Sequence, residues 1–276
     1  MRYTLPLLLA ATASVAFVTP AVTSPAAPVV TVKASEFAFS APHSIAAGTT
    51  TFRLVNAGKQ LHHASLLKLA AGKTMADYVA AMKAGGPPPA WATDMGGPNA
   101  ATPGAEVSAT MTLEPGEYLL VCFIPSPGET MPHMAKGMMS PLTVTAKRQA
   151  GVAPKSDVAI KLADYSFTLS QPITAGRHEI SVTNDAVQTH EVVLVKLPPG
   201  VTAKATADWV ESGMKGKPVA QPIGGLAGIG HGQTASFSAT LTPGNYGLIC
   251  FIPDSKDGKS HVMHGMVKEI TVAAKS

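Results

Sequence analysis

Residues 105–125 read AEVSATMTLEPGEYLLVCFIP, and residues 233–253 read QTASFSATLTPGNYGLICFIP. Each stretch is an alternating run, a Pro-Gly turn and a continuously apolar run ending in Cys-Phe-Ile-Pro. Alternation marks a half-buried strand, and a short unbroken apolar run suits a strand covered on both faces. Each stretch therefore reads as two strands joined at a turn, with Cys122 and Cys250 near the ends of core strands.

Working outward, the likeness continues at a constant offset of 128. Residues 29–146 meet residues 157–274 without a net gap. Lys33 meets Lys161, Phe39 meets Phe167, Gly48 meets Gly176 and Asn56 meets Asn184. Gly96-Gly97 meets Gly224-Gly225. This is a duplication in which each copy is about one domain long. The expected layout is a signal peptide at 1–26, a domain at 28–147, a short polar linker at 148–156 and a second domain at 157–276. In each copy VVTVKASEFAFS-like, TTTFRLVNAG-like, HHASLLKL-like and SPLTVTA-like runs add further strands. One helix is expected per copy, at TMADYVAAMKAGG with Thr74 and Asp77 spaced as a capping pair, and at ATADWVESGMKG. Many short strands, 23 Pro, 25 Gly and few aromatics favour an all-β fold of two sandwiches or barrels over a helical bundle.

The formal net charge is +4. Residues 28–146 hold seven basic and seven acidic groups, and residues 155–276 hold eleven and ten, so the excess sits at Arg2 and Lys147-Arg148. No clustered positive stripe exists, which argues against a nucleic-acid partner. The N-terminus places one Arg before an apolar run from Leu5 to Val18, followed by small residues that offer cleavage after Ala21 or Ala26. That is a secretory layout, too short to span a bilayer comfortably; an uncleaved anchor is the competing reading. The expectation is a periplasmic or secreted protein without stable membrane insertion after signal removal.

Each copy carries one Cys and, at matched positions, two His and one Met: His62, Cys122, His133 and Met138, then His190, Cys250, His261 and Met266. The repeat selects His62 over His63, because His63 meets Glu191, and Met138 over Met139, because Met139 meets Val267. A Cys122–Cys250 disulfide is the competing use of the thiols in an oxidising compartment. Met131, Met134 and Met263 read as loop packing or a soft entry path. His231 and His264 read as surface residues, Tyr78 and Trp209 as packing anchors. Thioether is a poor zinc ligand; thiolate, two imidazoles and a long axial thioether suit copper in an electron-transfer site.

At this point the chain resembles the cupredoxins, the blue copper proteins, over nearly all of both copies. The resemblance rests on the His after an Asn/Gly turn and on Cys-x10-His-x4-Met. It implies tandem eight-stranded Greek-key sandwiches, a type 1 copper in each (two per chain), and one-electron traffic with a redox partner protein. Two departures stand out: the Cys-to-His spacing is long, and His63 and Glu191 replace the Asn that often follows the first His and ties two loops. Copper delivery, and an oxidase or nitrite-reductase-like enzyme, are the alternatives. Val121 and Phe123 flank Cys122, and Ile249 and Phe251 flank Cys250, so no His-Cys-His or His-x-His run is present for a second centre. On that ground the chain is expected not to be an enzyme, with no catalytic residues.

Overall fold

The computed structural model describes Met1 and residues 25–274. Most of the expected signal segment lies outside the described residues. No helix among the described residues is long and apolar enough to cross a membrane.

The first half runs β1 (Val29–Ser35), β2 (Ala38–Ser40), β3 (Ser44–Asn56), β4 (Ser65–Leu69), α1 (Met75–Lys83), β5 (Ala92–Asp94), β6 (Glu106–Leu113), β7 (Gly116–Val121) and β8 (Met139–Arg148). The second runs β9 (Val158–Ala163), β10 (Ser166–Leu169), β11 (Gly176–Asn184), β12 (His190–Leu197), α2 (Ala203–Glu211), β13 (Gln221–Ile229), β14 (Thr234–Leu241), β15 (Gly244–Ile249) and β16 (Val267–Val272). The order is identical, and α1, β6 and β7 recur as α2, β14 and β15 with both ends displaced by 128. The fold is all-β and cupredoxin-like, with a single short helix in each half before the Cys-bearing strand.

In each half the Cys-bearing strand is central: β7 lies between β4 and β8, and β15 between β12 and β16. Its inner face, with Tyr118, Leu120 and Cys122, joins the main core. Its outer face, with Leu119 and Val121, packs with Tyr78 of α1. That explains the unbroken apolar run, since both faces are covered. In the second half α2 covers Val193, Val195 and Ile249 in the same way. The Thr74 hydroxyl accepts from the Asp77 N–H and Asp77 accepts back from the Thr74 N–H, closing a capping box. Thr202 caps α2 alone, so that helix begins two residues before the expected ATADWVESGMKG run.

The VVTVKASEFAFS run breaks into β1 and β2 because Phe37 adopts φ 62; Tyr165 does so at φ 63. A bulky aromatic at positive φ is an outlier. Likewise His62 makes only an isolated bridge to Ala101 and precedes β4, whereas His190 opens β12.

The halves meet symmetrically. β6 pairs antiparallel with β14, with Ala109 opposite Phe237, its own equivalent at the 128 offset. Pro98 bridges Leu226, again its own equivalent. The Asn99 N–H donates to Gly225 O and the Ala227 N–H to Gly97 O, a reciprocal pair. The interface is thus isologous within one chain, built around a local two-fold axis. Gly97 and Gly225 are required there: at φ 142 and 125, an added Cβ would lie 2.0 Å from Ala64 O and 1.9 Å from Val192 O.

Asp94 lies in this contact. Half-buried, it accepts from the Thr189 hydroxyl at 3.0 Å, and burial raises its carboxyl to about 6 despite that bond. A raised folded-state value favours the protonated form. Its contribution is present below about pH 4 and lost as pH climbs through about 6. Asp94→Asn keeps an acceptor for Thr189 without the charge. It is expected to raise Tm by roughly 3 °C at pH 7.5 and to change little at pH 4; thermal melts at the two pH values check this.

Candidate metal centres

Cys122 follows the last residue of β7, and main-chain bonds close the loop after it. Cys122 N–H donates to Met138 O at 3.2 Å, His133 N–H to Ile124 O at 2.9 Å, Met134 N–H to Cys122 O at 2.8 Å and Met138 N–H to His133 O at 3.0 Å. The second half repeats this with Cys250, Ile252, His261, Val262 and Met266 at 3.2, 2.8, 2.9 and 3.0 Å. His133 and His261 each open a 3-10 turn that ends on a left-handed glycine, Gly137 or Gly265. The long Cys-to-His spacing therefore gives a closed loop rather than a loose one.

These loops bring donors together. His62 Nδ1 lies 3.1 Å from His133 Nδ1, and Cys122 Sγ lies 3.5 Å from His133 Nδ1. In the second half Cys250 Sγ lies 3.8 Å from His190 Nδ1 and 3.4 Å from His261 Nδ1. All six residues are fully buried, and the donor atoms of each trio lie within 4.8 Å of one another. Three donors about 2.0–2.3 Å from a common ion in one plane stand roughly 3.5–3.7 Å apart, so the trios fit a metal. Both cysteines are free thiols, which removes the disulfide reading.

Burial pushes the Cys122 thiol up to about 12 and Cys250 also upward. It lowers His133 and His261 to about 4. A thiol that holds its proton and imidazoles that refuse one are the state a cation would exchange into: the cation displaces the thiol proton and meets two neutral lone pairs. Met138 and Met266 are fully buried in the same apolar cluster as the cysteines.

Further groups hold these side chains, and the sequence reading missed them. The carboxylate of Asp164 meets His190 Nε2 at 3.1 Å; its counterpart Glu36 stands 3.8 Å from His62 Nε2, which has no hydrogen-bond partner. Glu36 is held low mainly by the Lys59 N–H, to which it is tightly hydrogen-bonded, and also accepts from the Gln60 N–H at 3.0 Å. Gln60 and Gln188 place Oε1 at 3.1 and 3.4 Å from Nε2 of His133 and His261. Such partners fix tautomer and ring angle. The strained turns serve the same end, setting Phe37 and Tyr165 edge-on against His133 and His261 at 5.1 and 5.6 Å between ring centres. A cheap signal existed: Gln60 and Gln188 match at the offset, and an acid stands at both 36 and 164.

The tie expected of an Asn after the first His is made instead by His63 and Glu191. Phe123 N–H donates to His63 Nε2 at 2.8 Å, and Phe251 N–H donates to Glu191 Oε1 at 3.1 Å. Different side chains thus hold the same peptide. Of the expected surface histidines, His231 bonds Ala186 O, and His264 meets Asp257 at 3.2 Å in a group with Asp254. Met131 and Met263 are exposed; Met134 is buried under α1.

No protein-family model matches the chain. No curated protein sequence matches it. Among solved structures it is similar to a dithionite-reduced auracyanin from Roseiflexus castenholzii, at 25% identity over 44% of this chain and 98% of that one, with a TM-score of 0.31. It is similar to a multicopper oxidase at 11% identity over 90% of this chain and 88% of that one, TM-score 0.24. It is also similar to a copper-containing nitrite reductase from Thermus scotoductus at 12% identity over 90% and 61%, TM-score 0.24. The expectation that the chain is not an enzyme is corrected here. Each half assembles a His–Cys–His group in space. The expectation rested on which residues flank each Cys in sequence, and adjacency along the chain does not decide which imidazoles meet after folding.

Proposed function

We propose that the chain is an exported two-domain copper protein, with domains at 28–147 and 157–276 that each hold one type 1 copper ion and together relay single electrons to a redox partner protein. The observation that carries this reading is the convergence, in each half, of a buried Sγ and two Nδ1 atoms within 4.8 Å. His62, Cys122 and His133 would hold one ion, with Met138 as axial thioether. His190, Cys250, His261 and Met266 would hold the other. Copper supplies a one-electron couple with a strong thiolate bond. The chain supplies stiffness. Each donor is fixed by main-chain bonds, by packing or by a hydrogen bond to its far nitrogen, which keeps reorganisation small when the charge changes. Met131, 53% exposed, stands two residues before His133 in sequence; Val187 at 83% stands three before His190, and Met263 at 57% two after His261. These apolar rims are the proposed docking faces.

The expected result is two copper ions per mature chain and an intense blue or green absorption that bleaches on reduction and returns on oxidation. Metal analysis with visible spectroscopy checks it, and a colourless cupric protein refutes it. More than two coppers per chain, with turnover of oxygen or nitrite, would instead assign an enzyme.

One observation favours a second reading, copper holding or delivery. Met131 stands two residues before His133 and Met263 two after His261, both exposed thioethers suited to Cu(I). An electron carrier keeps its copper through redox cycles, whereas a delivery protein surrenders Cu(I) to a modest competing chelator.

A further inference from the structure

The two centres are joined through the inside of the protein. His63, next to the ligand His62, is buried and accepts the Phe123 N–H on Nε2. Its proton therefore sits on Nδ1, which donates to Asn99 Oδ1 at 3.2 Å. Asn99 is 1% exposed, and its Nδ2 donates to Glu191 Oε2 at 2.9 Å. Glu191, next to the ligand His190, accepts the Phe251 N–H on its other oxygen. Each end lies beside a metal-ligand set: His63 follows His62 and holds the Phe123 N–H next to Cys122, and the Glu191 N–H meets Cys250 Sγ at 3.4 Å.

Every donor in this chain faces an acceptor, and every member is enclosed. His63 and Glu191 are equivalents at the 128 offset, so the bridge links one position to its own two-fold mate. The single side chain between them stands one residue from the Pro98–Leu226 pair on the local axis. Its equivalent is Ala227, too short to bridge. A contact that only glued the halves together would not need to end, on each side, on the peptide N–H that follows a ligand cysteine.

We infer that His63, Asn99 and Glu191 form the route by which the two centres exchange an electron, an inference that rests on the two-copper reading above. One electron leaves the reduced centre and arrives at the oxidised one. No bond is made or broken, no proton leaves the bridge and no outside oxidant is needed. The side-chain segment gives a contiguous run of bonds and hydrogen bonds between the residues beside the two ligand sets, in addition to the main-chain bonds that join the halves.

The test uses the full, copper-loaded protein after a substoichiometric reducing pulse. The expected result is a phase of exchange between the two visible bands whose rate is independent of protein concentration. Asn99→Ala, which installs the residue present at the equivalent position, is expected to slow that phase at least roughly tenfold while both bands persist, with the thermal midpoint lowered by the buried partners it leaves unpaired. Glu191→Gln keeps an acceptor for Phe251 but turns an amide towards the Asn99 amide, so the donor order no longer runs through to His63; it too should slow exchange. In metal-free protein, NMR should find the His63 ring proton and the Asn99 amide protons protected from solvent, and the ring proton unprotected in Asn99→Ala. The inference is overturned if wild type lacks the concentration-independent phase, if both variants exchange within twofold of wild type, or if those protons are unprotected. Absence of the visible bands would sink the copper reading instead, and the metal-free measurement would still decide the bridge.

Discussion

Cys122→Ser is expected to stay folded, to bind one copper instead of two and to lose the visible band of the first half, while Cys250→Ser does the converse and the double variant is colourless. The structure explains why the fold survives. Each sulfur is fully buried, and Cys250 Sγ accepts the Glu191 N–H at 3.4 Å. A serine hydroxyl has the shape of the thiol with a somewhat smaller end atom and can itself accept a hydrogen bond, so the metal-free variants should stay folded, within about 2 kcal/mol of wild type. The hydroxyl, however, is a hard donor that does not ionise beside a soft ion, and the thiolate bond is the source of the colour. Because the trios use no residue in common, the loss should be local, with absorption falling by about half in each single variant. Metal analysis and visible spectra check this. Retention of both bands in either variant, or loss of both from a single change with the fold intact, would contradict independent sites.

How far the sequence carried depends on which forces decided each feature. The duplication, the apolar Cys strand, the capping pair at Thr74 and Asp77 and the converging donors were legible because they are periodic, local or repeated. The join between halves was not: Ala109 opposite Phe237 is set by the two-fold arrangement, and neither residue announces it. The turns at Phe37 and Tyr165 were also hidden, because an aromatic at positive φ contradicts local preference and is held by packing on the ligand rings. Asn99 was illegible for the opposite reason. It matches Ala227, and a comparison that looks for sameness discards the position where the copies differ.

Those differences carry the last expectation: the second centre should have the lower reduction potential, by on the order of 100 mV. Where the first half has Ser126, 3.3 Å from His133 Nε2 and bonded to the Lys136 ammonium at 2.8 Å, the second has Asp254, 3.8 Å from His261 Nε2. Tyr165, in the place of Phe37, donates a close hydrogen bond that is the main reason Asp254 stays ionised. Gln188 Nε2 at 3.0 Å and the Lys256 N–H at 2.7 Å add to it. Glu191 in place of His63 adds little charge, because burial raises its carboxyl to about 7. Negative charge near the metal favours the cupric state; at the first centre the Lys136 ammonium is paired with Glu129 at 2.6 Å, so the difference rests on Asp254. A unit charge roughly 8 Å away at an effective dielectric of about 20 shifts a one-electron couple by about 90 mV. Asp254→Asn keeps an acceptor for Tyr165 without the charge, so it should raise the second potential by 50–100 mV or so and leave the first unmoved. Spectroelectrochemistry that resolves the two bands decides it, and equal potentials in wild type, or a drop in the variant, would contradict it. If the ordering holds, an electron arriving at the second half runs downhill through Asn99 to the first, and the asymmetry of an otherwise two-fold molecule gives the relay its direction.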